Sequence, residues 1–144
     1  MLWPPPWPAF ASDVLTVAPP RQITARRGQT FPAALRVELR GGFHVNSNAP
    51  ADEYLIPLRL AWEVGPLQAV EVVFPKPRLE KYGFSPKPVS VFTGDFDIAT
   101  NFRVAADAPT GLHLVKGKLR YQACNDKLCL PPKTLEVQLA VDIR

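Results

Sequence analysis

Proline constrains this chain more than any other feature. It occurs 17 times in 144 residues, against an average usage of about 5%, and it falls between the apolar runs throughout the chain. Proline removes a backbone donor and fits neither helix interiors nor central strands. Segments this short, punctuated this often, favour extended structure. The apolar spacing agrees, because it has the two-residue period of a strand. Leu135, Val137, Leu139, Val141 and Ile143 share one face of the last segment, with Thr134, Glu136, Gln138 and Asp142 on the other. Ala33 to Arg40 places Leu35, Val37 and Leu39 inward. Phe96, Ile98, Phe102 and Val104 alternate further on. About eight short strands separated by turn signals predict an all-β fold, an immunoglobulin-like β-sandwich. Residues 1–12, rich in Pro and Trp, read as a partly disordered tail; the alternative is that its Trp3 and Trp7 dock on the body or on a neighbouring domain. Residues 13–144 read as one domain, a size sufficient for a packed core.

Several local readings follow. Leu55 to Val64 reads as one strand with Ile56, Leu58, Leu60, Trp62 and Val64 on a single face, and Ala69 to Phe74 as its hairpin partner across Gly65-Pro66. Pro57 lies on the other parity and predicts an edge or a bulge. From Leu112 to Ala123 the apolar parity changes phase, which a bulge near Val115-Lys116 would reconcile. Phe43 and Val45 point inward, which puts His44 on the outward parity, where a lone histidine is more often structural or exposed than catalytic. Asn46-Ser47-Asn48-Ala49-Pro50 reads as an ordinary polar turn. Pro75 to Pro88 is the longest stretch without a period, and a loop of that length in a small domain is usually functional or disordered.

The charge is +4 with acidic residues mixed throughout, so no nucleic-acid site is indicated. No run of 18 apolar residues occurs, which predicts no membrane span. The opening Met1-Leu2-Trp3-Pro4-Pro5-Pro6 lacks the basic and apolar regions of a signal peptide.

Cys124 and Cys129 are the chain's two cysteines, five positions apart across Asn125-Asp126. A ring of about six residues stabilises a fold by roughly 2 kcal/mol, against about 4.7 for a loop of about 100 residues. Such a weak staple makes sense as a reversible redox couple; an ordinary hairpin disulfide in a non-redox binding module is the competing reading. A zinc site wants four ligands, and only His44 and His113 remain as imidazoles. One methionine and two histidines likewise give a copper carrier little to use. The spacing is not Cys-x-x-Cys, and Pro131-Pro132 follows where a thioredoxin-type site needs a helix. Cys124 shares its parity with Lys118, Arg120 and Gln122, so both thiols are expected on a reachable, polar face. Lys127 would favour a thiolate by its charge and Asp126 would oppose it. No cofactor is implied.

The segment Tyr121 to Lys133, YQACNDKLCLPPK, resembles the active-site segment of the N-terminal domain of the thiol:disulfide interchange protein DsbD. Gly42-Phe43-His44-Val45-Asn46-Ser47-Asn48, Tyr54-Leu55-Ile56-Pro57-Leu58 and Phe74-Pro75-Lys76-Pro77 fit the same family, so the resemblance spans roughly residues 30 to 140. It implies an immunoglobulin-like domain that carries electrons in the bacterial periplasm. The implied partners are a thioredoxin-like donor domain and acceptors that are disulfide isomerases or other thioredoxin-like proteins. It also implies that Cys129 attacks and Cys124 resolves, and that an aromatic residue of the Pro75–Pro88 loop caps the pair. Here Tyr82 and Phe84 are the cap candidates, because Lys81 stands where enterobacterial members carry their aromatic residue. Those members also have one more residue between the cysteines.

Overall fold

The computed structural model describes residues 10–50 and 52–144. The alternative of Trp3 and Trp7 docking concerns positions outside the described residues. Among the described residues, thirteen strands form three sheets. The first sheet has the order β1 (Phe10–Ala11), β2 (Leu15–Ala18), β4 (Thr30–Leu39), β10 (Phe96–Val104), β7 (Leu67–Val73). The second has the order β3 (Ile23–Ala25), β13 (Lys133–Ile143), β11 (Gly111–Tyr121), β6 (Arg59–Trp62). The third is β12 (Ala123–Cys124), β5 (His44–Asn46), β9 (Val89–Thr93), β8 (Arg78–Glu80). Five strands have only two or three residues; the other eight are the longer elements that alternation detects. β1 lies inside the stretch read as a tail, with Phe10 paired to Val17 and Ala11 to Thr16.

One apolar core joins the three sheets. Leu35 and Val37 of β4, Ile98 and Phe102 of β10, Leu119 and Tyr121 of β11, and Leu139 and Val141 of β13 are all buried. This is the two-residue period at work: successive side chains leave opposite faces of a strand. β4 alternates without interruption from Thr30 to Glu38.

Three sequence expectations are corrected. β6 and β7 are not a hairpin. β6 pairs with β11 in the second sheet and β7 with β10 in the first, so Gly65-Pro66 carries the chain from one sheet to the other. Trp62 reaches across the sandwich to β10: its ring meets Phe102 edge to face with centroids 5.2 Å apart, and its Nε1 donates to Thr100 Oγ1 at 3.0 Å. Beyond it Glu63 N still donates to Lys116 O at 2.9 Å, and Val64 is fully exposed. The bulge expected in β11 is absent, because β11 pairs with β13 without a shift from Gly111–Ile143 to Tyr121–Lys133. Leu112 and Leu114 simply face outward. The register shift occurs instead in β10, at Asn101/Phe102 against β7. Finally, Pro75–Pro88 is not one loop. Arg78–Glu80 pairs along β9, which shortens the loop to residues 81–88. An edge strand whose side chains are mostly exposed has no apolar period to read.

Candidate redox site

The cysteines lie at the edge of the third sheet. Leu130 N donates to Ala123 O at 2.8 Å and Asn125 N to Leu128 O at 2.9 Å, closing a tight hairpin. Asn125 sets the turn: its Oδ1 accepts from the amides of Lys127 and Leu128, both at 2.9 Å. Asparagine suits this place because its short amide bonds the backbone two residues on. Cys124 and Cys129 face each other across this hairpin and are joined as a disulfide, with Cα atoms 4.0 Å apart. On its other side Cys124 is the register partner of His44, and His44 in turn faces Thr93. Thr93, His44, Cys124 and Cys129 therefore form one lateral row across the sheet. Facing residues of antiparallel neighbours project to the same side.

The opposite side of this sheet belongs to the main core through Val45, Phe92 and Ala123. The side that carries the row would face water in a bare sheet. It is covered instead by two loops. Tyr82 and Phe84 pack with Leu55, Val89 and Val91 in a second, smaller apolar cluster. The Tyr82 ring stacks on the His44 imidazole at 4.0 Å with planes 10° apart, and Phe84 stacks on Tyr82 at 5.6 Å. The loop is tied to the cysteine hairpin by Gly83 N, which donates to Asp126 O at 3.1 Å. That oxygen also lies 3.1 Å from where a Cβ at position 83 would stand, so the close approach favours glycine.

The expectation of a reachable thiol fails for Cys124 and not for Cys129. Cys124 has 0% exposure and His44 2%, whereas Cys129 is only partly buried. The outward parity holds for both residues: Cys124 is opposite to Ala123 and His44 opposite to Val45. What parity cannot show is a second layer on the outward face. Burial also drives the pKa of His44 down from 6.5 to about 4, so the imidazole is neutral at pH 7. The Tyr82 hydroxyl is shifted up, first by burial and then by Glu80, with Arg78 opposing.

Asp126 and Lys127 lie in the turn between the two cysteines. Both side chains are exposed and neither forms an ion pair among the described residues. Asp126 acts in the structure through its backbone carbonyl. Sequence reasoning missed Gln122 and Asn46. Gln122 Oε1 accepts from Asn46 Nδ2 at 3.0 Å and from Ile56 N at 3.1 Å, while its Nε2 donates to Leu130 O at 3.5 Å. Asn46 Nδ2 also donates to Ile56 O at 3.0 Å. The polar turn after β5 is therefore part of the wall behind the hairpin, and Ser47 Oγ is bonded to Ser90 Oγ at 2.8 Å in that wall. A polar residue at each of these places was visible in the sequence; their convergence was not. No group of three or more His, Cys, Asp or Glu suited to a metal occurs among the described residues. The same residues contain no helix long and apolar enough to cross a membrane.

An all-β immunoglobulin-like domain with a disulfide-bonded cysteine pair at the edge of a sheet defines the class of protein. Residues 11–141 match the family described as thiol:disulfide interchange protein DsbD, N-terminal, and the chain belongs to that family. No curated protein sequence matches it. Among solved structures, the N-terminal periplasmic domain of ScsB from Proteus mirabilis is similar, with a TM-score of 0.60 at 13% identity. The likeness covers 91% of this chain and 47% of that one, so this chain spans about half the length of its structural relative. The seventh ScaB type I cohesin from Pseudobacteroides cellulosolvens aligns with a TM-score of 0.50 at 12% identity, covering 89% of this chain and 90% of that one. At such identities the likenesses concern the fold, and both agree with the sandwich read from the sequence.

Proposed function

We propose that this domain is a periplasmic thiol:disulfide oxidoreductase that relays electrons through Cys124 and Cys129. The electrons come from the dithiol of a thioredoxin-like donor domain and go to oxidised periplasmic isomerases or other thioredoxin-like proteins. The observation that carries the reading is the unequal burial of the two sulfur-bearing residues, one fully enclosed and one partly open. A donor thiolate attacks the accessible Cys129 Sγ, the disulfide breaks, and Cys124 leaves as a thiolate that takes a proton. The donor's second thiol then releases Cys129 and the donor departs as a disulfide. In the forward direction the Cys129 thiolate attacks an acceptor disulfide, and Cys124 displaces the reduced acceptor from the mixed disulfide. The loop bearing Tyr82 and Phe84 gates these steps: it shields the sulfurs from small oxidants until a partner displaces it. Membership of the family and the periplasmic setting of the ScsB domain support the location.

The attack order has a direct test. Cys124→Ser leaves a mixed disulfide at Cys129 with nothing to resolve it, so partner proteins accumulate on this variant in non-reducing gels. Cys129→Ser traps far less. Equal trapping, or the reverse order, removes the assignment.

The competing reading is a structural hairpin bond in a non-redox module. The main apolar core contains neither cysteine, so reduction is expected to leave the domain folded and to lower its stability by no more than about 2 kcal/mol. Denaturant titrations of the oxidised and reduced forms measure this. A much larger loss, or a reduction potential well below about −300 mV, marks a structural bond instead.

A further inference from the structure

His44 is a buried titratable side chain beside the sulfurs that the exchange steps leave unused. It faces Cys124 in register, and facing residues on antiparallel neighbours hold their Cβ atoms about 4.5–5.5 Å apart on one side of the sheet. Tyr82 closes the space above it, stacked at 4.0 Å. Its Nε2 is buried and finds no hydrogen-bond partner among the described residues. A buried nitrogen without a partner is a standing cost to the state that contains it. In the disulfide state the neighbouring Cys124 sulfur has no proton to offer. In the dithiol state it becomes an S–H donor.

We propose that His44 is a positioning residue for the redox reaction: its Nε2 accepts a hydrogen bond from the Cys124 thiol in the reduced state, which favours dithiol over disulfide. The inference rests on the exchange reading above and adds the residue that biases the equilibrium. Reduction breaks the bond between the two Sγ atoms and adds two electrons and two protons, all supplied by a donor dithiol that leaves as a disulfide. Cys129 ends as a thiol at the open side. Cys124 ends as a thiol against the imidazole, which remains neutral throughout. The bond holds the Cys124 sulfur within the lateral row, where it must sit to displace a partner from Cys129. The aromatic cover serves the same end, since it keeps water from competing for the nitrogen.

The test equilibrates the domain with reduced and oxidised glutathione and compares it with His44→Phe. That variant keeps a flat ring under Tyr82 and removes both nitrogens. The equilibrium constant for reduction is expected to fall about tenfold, which is ~30 mV for a two-electron couple. A constant within about twofold of the unsubstituted protein overturns the proposal. A second measurement needs no variant. The ¹⁵N shift of His44 Nε2 is recorded in both redox states, and it should move towards that of a hydrogen-bonded acceptor on reduction. An unmoved shift, as a water held in both states would give, overturns the proposal. Both readouts use a small thiol and no protein partner. Failure of partner trapping with a shifted constant defeats the exchange reading alone; normal trapping with an unshifted constant defeats the role of His44 alone.

Discussion

Replacing Tyr82 and Phe84 together by alanine is expected to speed alkylation of the reduced thiols by a small reagent roughly thirtyfold. The factor follows from the cover itself. Two partly buried aromatic side chains contribute about 2 kcal/mol to holding the loop closed, and a reaction gated by local opening accelerates by the corresponding factor when that closure is lost. The rings belong to the small cluster with Leu55, Val89 and Val91, apart from the main core, so the sandwich should stay folded with a loss of no more than about the same 2 kcal/mol. The effect should be greatest at Cys124, which is fully enclosed, and smaller at Cys129, which is already partly open. Mass spectrometry of alkylated peptides separates the two sites. An unchanged rate at Cys124 means that neither ring covers it and that the loop is only a connection.

The second large effect is in acid. His44 titrates near 6.5 in an unfolded chain and at about 4 in the folded domain, because burial disfavours its charged form. Between those values the unfolded state binds more protons than the folded one, so stability rises with pH across the window. Its contribution is complete above about pH 6.5 and is lost as the pH falls towards 4. Each tenfold difference in proton affinity between the two states is worth about 1.4 kcal/mol, so the loss approaches about 3 kcal/mol. Carboxylates titrate at the lower end of this range as well, so the measurement is a comparison. Urea midpoints of the unsubstituted domain and of His44→Phe, taken from pH 7 to pH 4, should diverge by about that amount, with the variant less sensitive to acid. Parallel curves would mean that the imidazole is not held neutral by the fold. Protonation would also put a charge beneath the Tyr82 ring, beside the register position of Cys124.

These two expectations depend on elements that differed in how far the sequence exposed them. β4, β10 and β13 were readable because each has one buried face and one open face over nine or more residues. The cysteine hairpin was readable from Asn125-Asp126 and the strands on either side. β8 was not, since it is a three-residue edge strand with little buried surface. The crossing from β6 to β7 was missed because Gly65-Pro66 serves a hairpin and a change of sheet equally well. What separates the two strands is their partners, β11 for β6 and β10 for β7, both far along the chain.

The redox site divides in the same way. Which side of the strand Cys124 and His44 occupy is a property of the local chain, since side chains alternate with a period of two in any extended segment. The sequence alone therefore determined the pairing of two cysteines in a small ring, the all-β class and the outward parity of both residues. Whether that outward face meets water is not a local property. Tyr82, Phe84 and Leu55 reach it from segments some 40 to 70 residues before the cysteines, and β5 presents His44 from a greater distance still. Only the tertiary structure brought them together, turned a polar-looking strand face into an enclosed one, and left Cys129 as the more open cysteine.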